Sequence, residues 1–300
     1  MTTGAGRFAP SPSGDLHIGN LRTALLAWLF ARSTGRSFLL RIEDLDRVRP
    51  GAEERQLRDL AALGLGFDGE SVRQSKRRAR YDAVVDALGE RGATYECFCT
   101  RREILEAASA PHSPPGAYPG TCRDLTSRER DERRVSGRSP AIRLRADVTE
   151  YTVTDLLHGS WTGAVDDLVL RRGDGIPAYN LAVVVDDGDA GIDQVVRGDD
   201  LLASAPRQAY LASLLGIDEP VYAHVPLVLN TEGKRLAKRD GAVTLADREA
   251  LGETPRDVLA MLARSLRLAG DGEHPGTADL LARFDPSALP REPWIVDMSA

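Results

Sequence analysis

Three stretches of this chain hold residues with chemistry to offer. The first is APSPSGDLHIGN, where a Pro-Ser-Pro-Ser-Gly turn runs into His17, Gly19 and Asn20 at the mouth of an apolar helix. The first turn of a helix carries unpaired N–H groups and a partial positive charge, so it attracts phosphate. His17 can donate a hydrogen bond to a phosphate oxygen, Gly19 lets a flat ligand lie against the backbone, and Gly14 relieves the turn. The second is the charged loop TEGKRLAKRDGA, far downstream, whose basic residues suit the other side of a polyphosphate. The third is Cys97-Phe98-Cys99, followed by Cys122. Cysteines so close can share a metal ion, and a tetrahedral zinc site wants four ligands. His112 is a candidate for the fourth position, and three buried structural cysteines are the rival reading.

These residues need elements to position them. RFA reads as a short strand, and Leu21, Leu25, Trp28 and Leu29 make one face of the helix that follows. Gly35 suits the left-handed position that closes it. SFLLRIED is a buried strand. Strand, turn, helix and strand make a βαβ unit with His17 at the carboxyl end of its first strand, where ligands bind in open α/β sheets. Two helices follow, the first from Pro50-Gly51 to Gly64, the second with Tyr81, Val84, Val85 and Leu88 on its face. TYECFC is a strand candidate, and Thr100/Glu103 and Thr126/Glu129 are capping boxes. AIRLRAD and EYTVTDLLHGSWTGAV look like a strand pair. Residues 95–165 thus read as an insertion between the halves 1–94 and 166–245 of one α/β unit, with a short helical segment at 246–300. In the second half, LASAPRQAYLASLLG is a helix and HVPLVLN a strand.

Bulk properties bound the class. The chain has 300 residues, 42% of them hydrophobic, enough for one large α/β domain with a real core. No apolar run reaches membrane-spanning length and the first residues do not read as a signal peptide, so a cytoplasmic protein is expected. A net charge of -6 argues against a surface that binds nucleic acid everywhere. Arg73 to Arg80, in RQSKRRARY, is the local basic strip, whereas RDLTSRERDERR reads as a solvated helix. The low, odd cysteine count argues against a disulfide framework.

The paired loops resemble the two signatures of class I aminoacyl-tRNA synthetases. RFAPSPSGDLHIGNLRTALLAW, LLRIEDLDRVRP, RQSKRRARY, AYNLAVVVDD, VVRGDDLL and RLAKRDGA occur in the order of the glutamyl-tRNA synthetase catalytic domain. The spacing of Cys97, Cys99, Tyr118 and Cys122 resembles the zinc site of a shortened branch, the glutamyl-Q tRNA(Asp) synthetases. The chain is expected to lack the large anticodon-binding portion of ordinary glutamyl-tRNA synthetases. The resemblance implies a Rossmann-like catalytic domain with a zinc-bearing insertion and a short helical C-terminal part.

It also implies the site. Arg7, Phe8, Ala9, Pro10, Ser11, Glu43, Tyr179 and Arg197 would bind glutamate, with either arginine able to clamp a carboxylate and Glu43 holding the ammonium. His17, Gly19, Asn20 and Lys238 would bind ATP, which brings Mg2+, with His17 and Lys238 acting on the reacting phosphates. Cys97, Cys99, Tyr118 and Cys122 would hold one structural Zn2+. The implied reaction joins L-glutamate, through glutamyl-adenylate, to the queuosine of tRNA(Asp), on a monomer. Two departures stand out: Asn20 replaces the second histidine of the first signature, and Ala237 removes a hydroxyl from the second. Rival readings are a truncated synthetase charging a tRNA 3′ end and a non-enzymatic zinc- and RNA-binding paralogue.

Overall fold

A computed structural model describes residues 4–100, 102–104, 118–236, 241 and 243–297. The expected βαβ unit is present: β1 (Ala5–Phe8), α1 (Ile18–Ser33) and β2 (Ser37–Ile42), with β1 and β2 parallel. Gly35, just past the helix end, has φ +71°. Beyond β2 come α2 (Ala52–Ala62), β3 (Val72–Arg73) and α3 (Arg78–Glu90). The second half supplies α5 (Tyr179–Asp189), β9 (Ile192–Gly198), α6 (Ala205–Leu215) and β10 (Val221–Val225).

The main sheet has seven strands in the order β3-β2-β1-β9-β10-β6-β7, where β6 is Glu150–Asp155 and β7 is Gly159–Ala164. All its pairings are parallel except the β6–β7 hairpin. The chain leaves β1 for β2 on one side, while β9 lies on the other. The crevice between β1 and β9 is the topological switch point, and ligands of open parallel sheets bind there.

The expected strand pair between AIRLRAD and EYTVTDLLHGSWTGAV does not form. β5 (Ala141–Leu144) instead pairs with β4 (Thr94–Cys97) and β8 (Val169–Arg171) in a separate three-stranded sheet. The β6–β7 hairpin joins the main sheet beside β10, with Tyr222 opposite Asp155. A hydrophobic pattern marks each segment as a strand but not which edge it pairs with. Part of 95–165 therefore belongs to the main sheet. The mixed-charge segment is the solvated helix expected, α4 (Ser127–Val135), with no buried residue and a Thr126/Glu129 capping box.

HVPLVLN divides at Pro226. β10 ends at Val225, and β11 (Val228–Leu229) pairs in parallel with β12 (Trp294–Ile295). The C-terminal part is thus not purely helical: it adds β12 to α7 (Leu245–Ala250), α8 (Pro255–Ser265) and α9 (Thr277–Arg283). This part completes the core. α1 is buried on nearly every side, not on one face, because Val258, Leu262 and Leu280 share a cluster with Leu21, Leu25 and Leu29. Phe284 meets Phe30 edge-on at 5.1 Å. Arg22, 2% exposed, donates to the Pro226 carbonyl at 2.8 Å and to Ser265 Oγ at 3.0 Å, tying α1 to both neighbours.

Leu262→Ala should therefore cost about 2–5 kcal/mol of global stability. Urea unfolding followed by tryptophan fluorescence and by far-UV dichroism should shift as one transition. A separate early transition of the C-terminal part would contradict this packing.

Candidate active site

The turn before α1 is held from outside. Gln56 on α2 donates to the carbonyls of Ser11 (3.0 Å) and Gly14 (2.6 Å). The backbone N–H of Arg49 donates to Pro12 O at 2.9 Å, and that of Glu43 to Pro10 O at 3.0 Å. Gly14 does not relieve strain: its φ is not positive, and a Cβ there would meet nothing within 4 Å.

His17 is the N-cap of α1. Its Nδ1 accepts from the Asn20 backbone N–H at 3.2 Å, and Asn20 Oδ1 accepts from the His17 backbone N–H at 3.2 Å. Asn20 therefore closes a reciprocal capping box. With Nδ1 accepting, the proton of the neutral ring sits on Nε2 and is free to donate. Burial, and secondarily the nearby Arg235, holds the imidazole below its usual range, so it stays neutral. Gly19 serves His17 as much as any ligand, since a Cβ there would lie 3.0 Å from His17 Nδ1 and Cε1.

Around the switch point the sheet presents buried guanidiniums. Arg7 Nε lies 3.2 Å from Asp187 Oδ1, and its Nη1 donates to Val196 O at 3.3 Å. Arg41 also donates to Asp187, and to Glu43 Oε1 at 3.1 Å. Burial alone would raise the Asp187 carboxyl, but Arg41 and Arg7 outweigh it and hold it below the usual carboxylate range. Glu43 goes the other way: burial raises it and Arg41 offsets only part.

Arg197 differs from both. It is 6% exposed, and its partners are neutral: His224 Nε2 at 3.0 Å, Gln208 Oε1 at 2.7 Å and Leu201 O at 3.4 Å. No carboxylate among the described residues forms a salt bridge with it. Arg41, Asp187, Gln208 and His224 escaped sequence reasoning. The adjacent Asp186-Asp187 pair and the arginine inside RIED were the only hints, since pairing across the sheet has no sequence spacing.

Arg7, Phe8, Ala9, Pro10, Ser11, His17, Gly19, Asn20, Glu43, Tyr179 and Arg197 all line one cleft of about 630 Å³. The second signature reaches the same cleft. Arg235 lines it and pairs with Asp200, Leu236 is buried, and the Ile18 backbone N–H donates to Val243 O at 2.8 Å. Lys238 and Ala237 lie outside the described residues.

Cys97, Cys99 and Cys122 come together on the insertion, with sulfurs within 4.8 Å of one another. The trio could hold a metal ion. Cys99 and Cys122 sulfurs are 3.5 Å apart, and Tyr118 Oη lies 3.3 Å from Cys97 Sγ and 3.7 Å from Cys99 Sγ. His112 lies outside the described residues. Tyr118 also lines a second cavity of about 910 Å³, which shares Ser11, Glu43 and Tyr179 with the cleft. Three arginines of the basic strip have acidic partners: Arg73 pairs with Glu53, Arg77 with Asp186 and Asp189, and Arg80 with Asp189. Among the described residues no helix is long and apolar enough to cross a membrane.

A mainly parallel sheet with a capped-helix signature at its switch point, and Arg235 of the second signature in the same cleft, is the arrangement of a class I tRNA synthetase catalytic domain. The family model for class I tRNA synthetases (E and Q), catalytic domain, matches residues 5–298, and the chain belongs to that family. It is 67% identical to the glutamyl-Q tRNA(Asp) synthetase of Nocardia farcinica, over 98% of this chain and 93% of that one. To the glutamyl-Q tRNA(Asp) synthetase of Cutibacterium acnes it is 56% identical, over 88% and 76%. A crystal structure of a glutamate tRNA ligase from Elizabethkingia meningosepticum, in complex with its amino acid, superposes with a TM-score of 0.83 at 29% identity. That match covers 97% of this chain and 66% of the ligase, so the chain spans about two thirds of its length.

Asp187 should be a stability determinant with a definite pH signature. Its folded carboxyl titrates below its unfolded value, so its contribution is complete above about pH 4 and fades as the pH falls through the folded value. Asp187→Asn should lose about 3–5 kcal/mol at neutral pH, because two buried cations lose their shared partner. In urea titrations the gap between variant and wild type should narrow below about pH 4. A gap that is constant with pH would exclude the assignment.

Proposed function

We propose that this chain activates L-glutamate with ATP and transfers it to the queuosine of tRNA(Asp). The observation that carries the reading is Arg197: a buried cation lining the cleft, held by neutral partners, with no salt bridge to a carboxylate among the described residues. A buried charge is costly unless paired. The substrate's side-chain carboxylate is the missing counter-ion, while Glu43 takes the ammonium. The names of the full-length relatives supply the same substrate and acceptor.

Arginine has donors only, so it satisfies a carboxylate but leaves the NH2 of glutamine facing another donor. Arg7 is already committed to Asp187 and lends charge from the cleft floor. Activation is in-line attack of the α-carboxylate on the α-phosphate of ATP, releasing pyrophosphate. The site positions the reactants and stabilises developing charge. Neutral His17 donates through Nε2 at the mouth of α1, beside the N–H groups of the helix. Lys238 holds the leaving phosphates, and Mg2+ enters with ATP. The capping role of Asn20 keeps His17 in place without a second histidine. ATP and tRNA as substrates support a cytoplasmic reaction.

One structural zinc is proposed at Cys97, Cys99, Cys122 and Tyr118. Ligands about 2.3 Å from a tetrahedral zinc lie roughly 3.8 Å apart. The Cys99–Cys122, Cys97–Tyr118 and Cys99–Tyr118 separations of 3.5, 3.3 and 3.7 Å are close to that spacing, and all three sulfurs lie within 4.8 Å of one another. The acceptor base would enter from the Tyr118 side, where the second cavity shares Ser11, Glu43 and Tyr179 with the cleft.

Purified protein should catalyse glutamate-dependent ATP–pyrophosphate exchange, with glutamine disfavoured by about 10^4, as expected of a site built to hydrogen-bond its substrate. Equal use of glutamine would refute the role of Arg197. Lys238→Ala should abolish most exchange without lowering the melting temperature. Protein prepared without a histidine tag should contain about one zinc per chain. Cys97→Ser should lose the metal and melt earlier, whereas metal-free wild type of unchanged stability would restore the buried-cysteine reading. Labelled glutamate should attach to a queuosine-bearing anticodon stem-loop of tRNA(Asp). Attachment only to the 3′ end of tRNA(Glu) would favour the truncated synthetase.

A further inference from the structure

His224 and Asp155 have no part in the chemistry above, yet both side chains are fully buried, next to the cleft. His224 sits near the end of β10 and Asp155 ends β6, brought alongside because the hairpin joins the main sheet. His224 Nε2 receives the Arg197 Nε–H at 3.0 Å, and His224 Nδ1 is 2.6 Å from Asp155 Oδ2. Arginine can only donate. Nε2 must therefore carry the lone pair and Nδ1 the proton, which Asp155 accepts.

Asp155 is fixed in turn. Its Oδ1 accepts from the backbone N–H groups of Leu157 (2.8 Å) and His158 (3.0 Å), and its Oδ2 from that of His224 (3.0 Å). The chain from backbone to carboxylate to imidazole to guanidinium has no slack. It also has a particular charge order. Asp187 touches Arg7 and Arg41 directly, and Glu43 and Asp186 add further carboxylates at Arg41. At Arg197 an imidazole is placed between guanidinium and carboxylate. A carboxylate in direct contact would hold Arg197 equally well, but it would cancel the charge a ligand needs and repel the ligand's own carboxylate.

We propose that Asp155 and His224 are positioning residues that orient Arg197 through a neutral acceptor and so keep its positive charge for the side-chain carboxylate of the amino-acid substrate. Asp155 acts by selecting the imidazole tautomer, as outer partners of functional histidines do. The proposal rests on the reading that Arg197 meets the glutamate side chain.

The test is ATP–pyrophosphate exchange with the full chain, resolving KM for glutamate, KM for ATP and kcat, with thermal melts of each variant. His224→Leu removes the acceptor. It should raise the glutamate KM about tenfold or more, the scale of one hydrogen bond to a charged group, and leave the ATP KM close to wild type. His224→Gln, whose Oε1 can accept in place of Nε2, should restore the glutamate KM. A glutamate KM unchanged in His224→Leu, or raised equally in both variants, would overturn the proposal.

A nearly isosteric change covers the case in which leucine does not fold there. Asp155→Asn can select the wrong tautomer. It should raise the glutamate KM in the wild-type background but not in the His224→Gln background, where no tautomer exists. The backbone bonds to Asp155 are perturbed equally in both, so the difference isolates the relay. Equal effects in the two backgrounds assign Asp155 a structural role and overturn the proposal. Wild-type protein with no glutamate-dependent exchange overturns the activation reading instead.

Discussion

Three guanidiniums are buried around the switch point of one sheet, and their charge must be balanced. Arg7 on β1 and Arg41 on β2 share Asp187 of α5, while Arg197 on β9 forms no salt bridge with a carboxylate among the described residues. A charge taken out of water without a partner is costly, and the expense of ordering such a site is recovered when a ligand brings the missing charge. The adjacency of β1 and β9, the acidic end of α5 and the neutral acceptors under Arg197 all serve this one imbalance. Glu43 completes the polarity, a carboxylate that burial raises and Arg41 only partly restrains, at the place where a substrate ammonium would favour its ionised form.

The phosphate side obeys a different constraint, the unpaired amides of a helix start. His17 satisfies one of them through Nδ1 and keeps Nε2–H for the cleft, so one ring caps the helix and addresses a ligand. Gly19 leaves room for that same ring, which a Cβ would crowd at 3.0 Å. α1 can present its N-terminus so firmly because it is enclosed, with the sheet on one side and α8 and α9 on another. The C-terminal helices therefore support the site by packing on α1 and by the Arg22–Ser265 hydrogen bond.

The insertion repeats the logic at smaller scale. Three strands bury little apolar surface, and its core consists of Tyr95, Phe98, Tyr118 and two of the three cysteines. A cluster that small gains from a cross-link, and a metal ion would supply one. Arg143, stacked 3.6 Å from the Tyr118 ring centroid, joins that core to the cavity beside the cleft.

Local order was legible in the residues. The βαβ unit, the cap at Thr126 and the stop at Gly35 follow from short-range rules of periodicity and capping. So did the members of the cleft, because the ordered blocks of a familiar catalytic domain carry them together. Pairing across distance was not legible. Nothing local says that β6 lies beside β10, that β12 adds to β11, or that Arg73, Arg77 and Arg80 meet acidic partners rather than solvent. Periodicity reports which face of a segment is buried, not against what. The sequence by itself determined the elements and the chemistry of their ends. Only the tertiary structure decided which buried cations were neutralised and which was left for a ligand, because that balance depends on carboxylates brought close by the sheet, not by the chain.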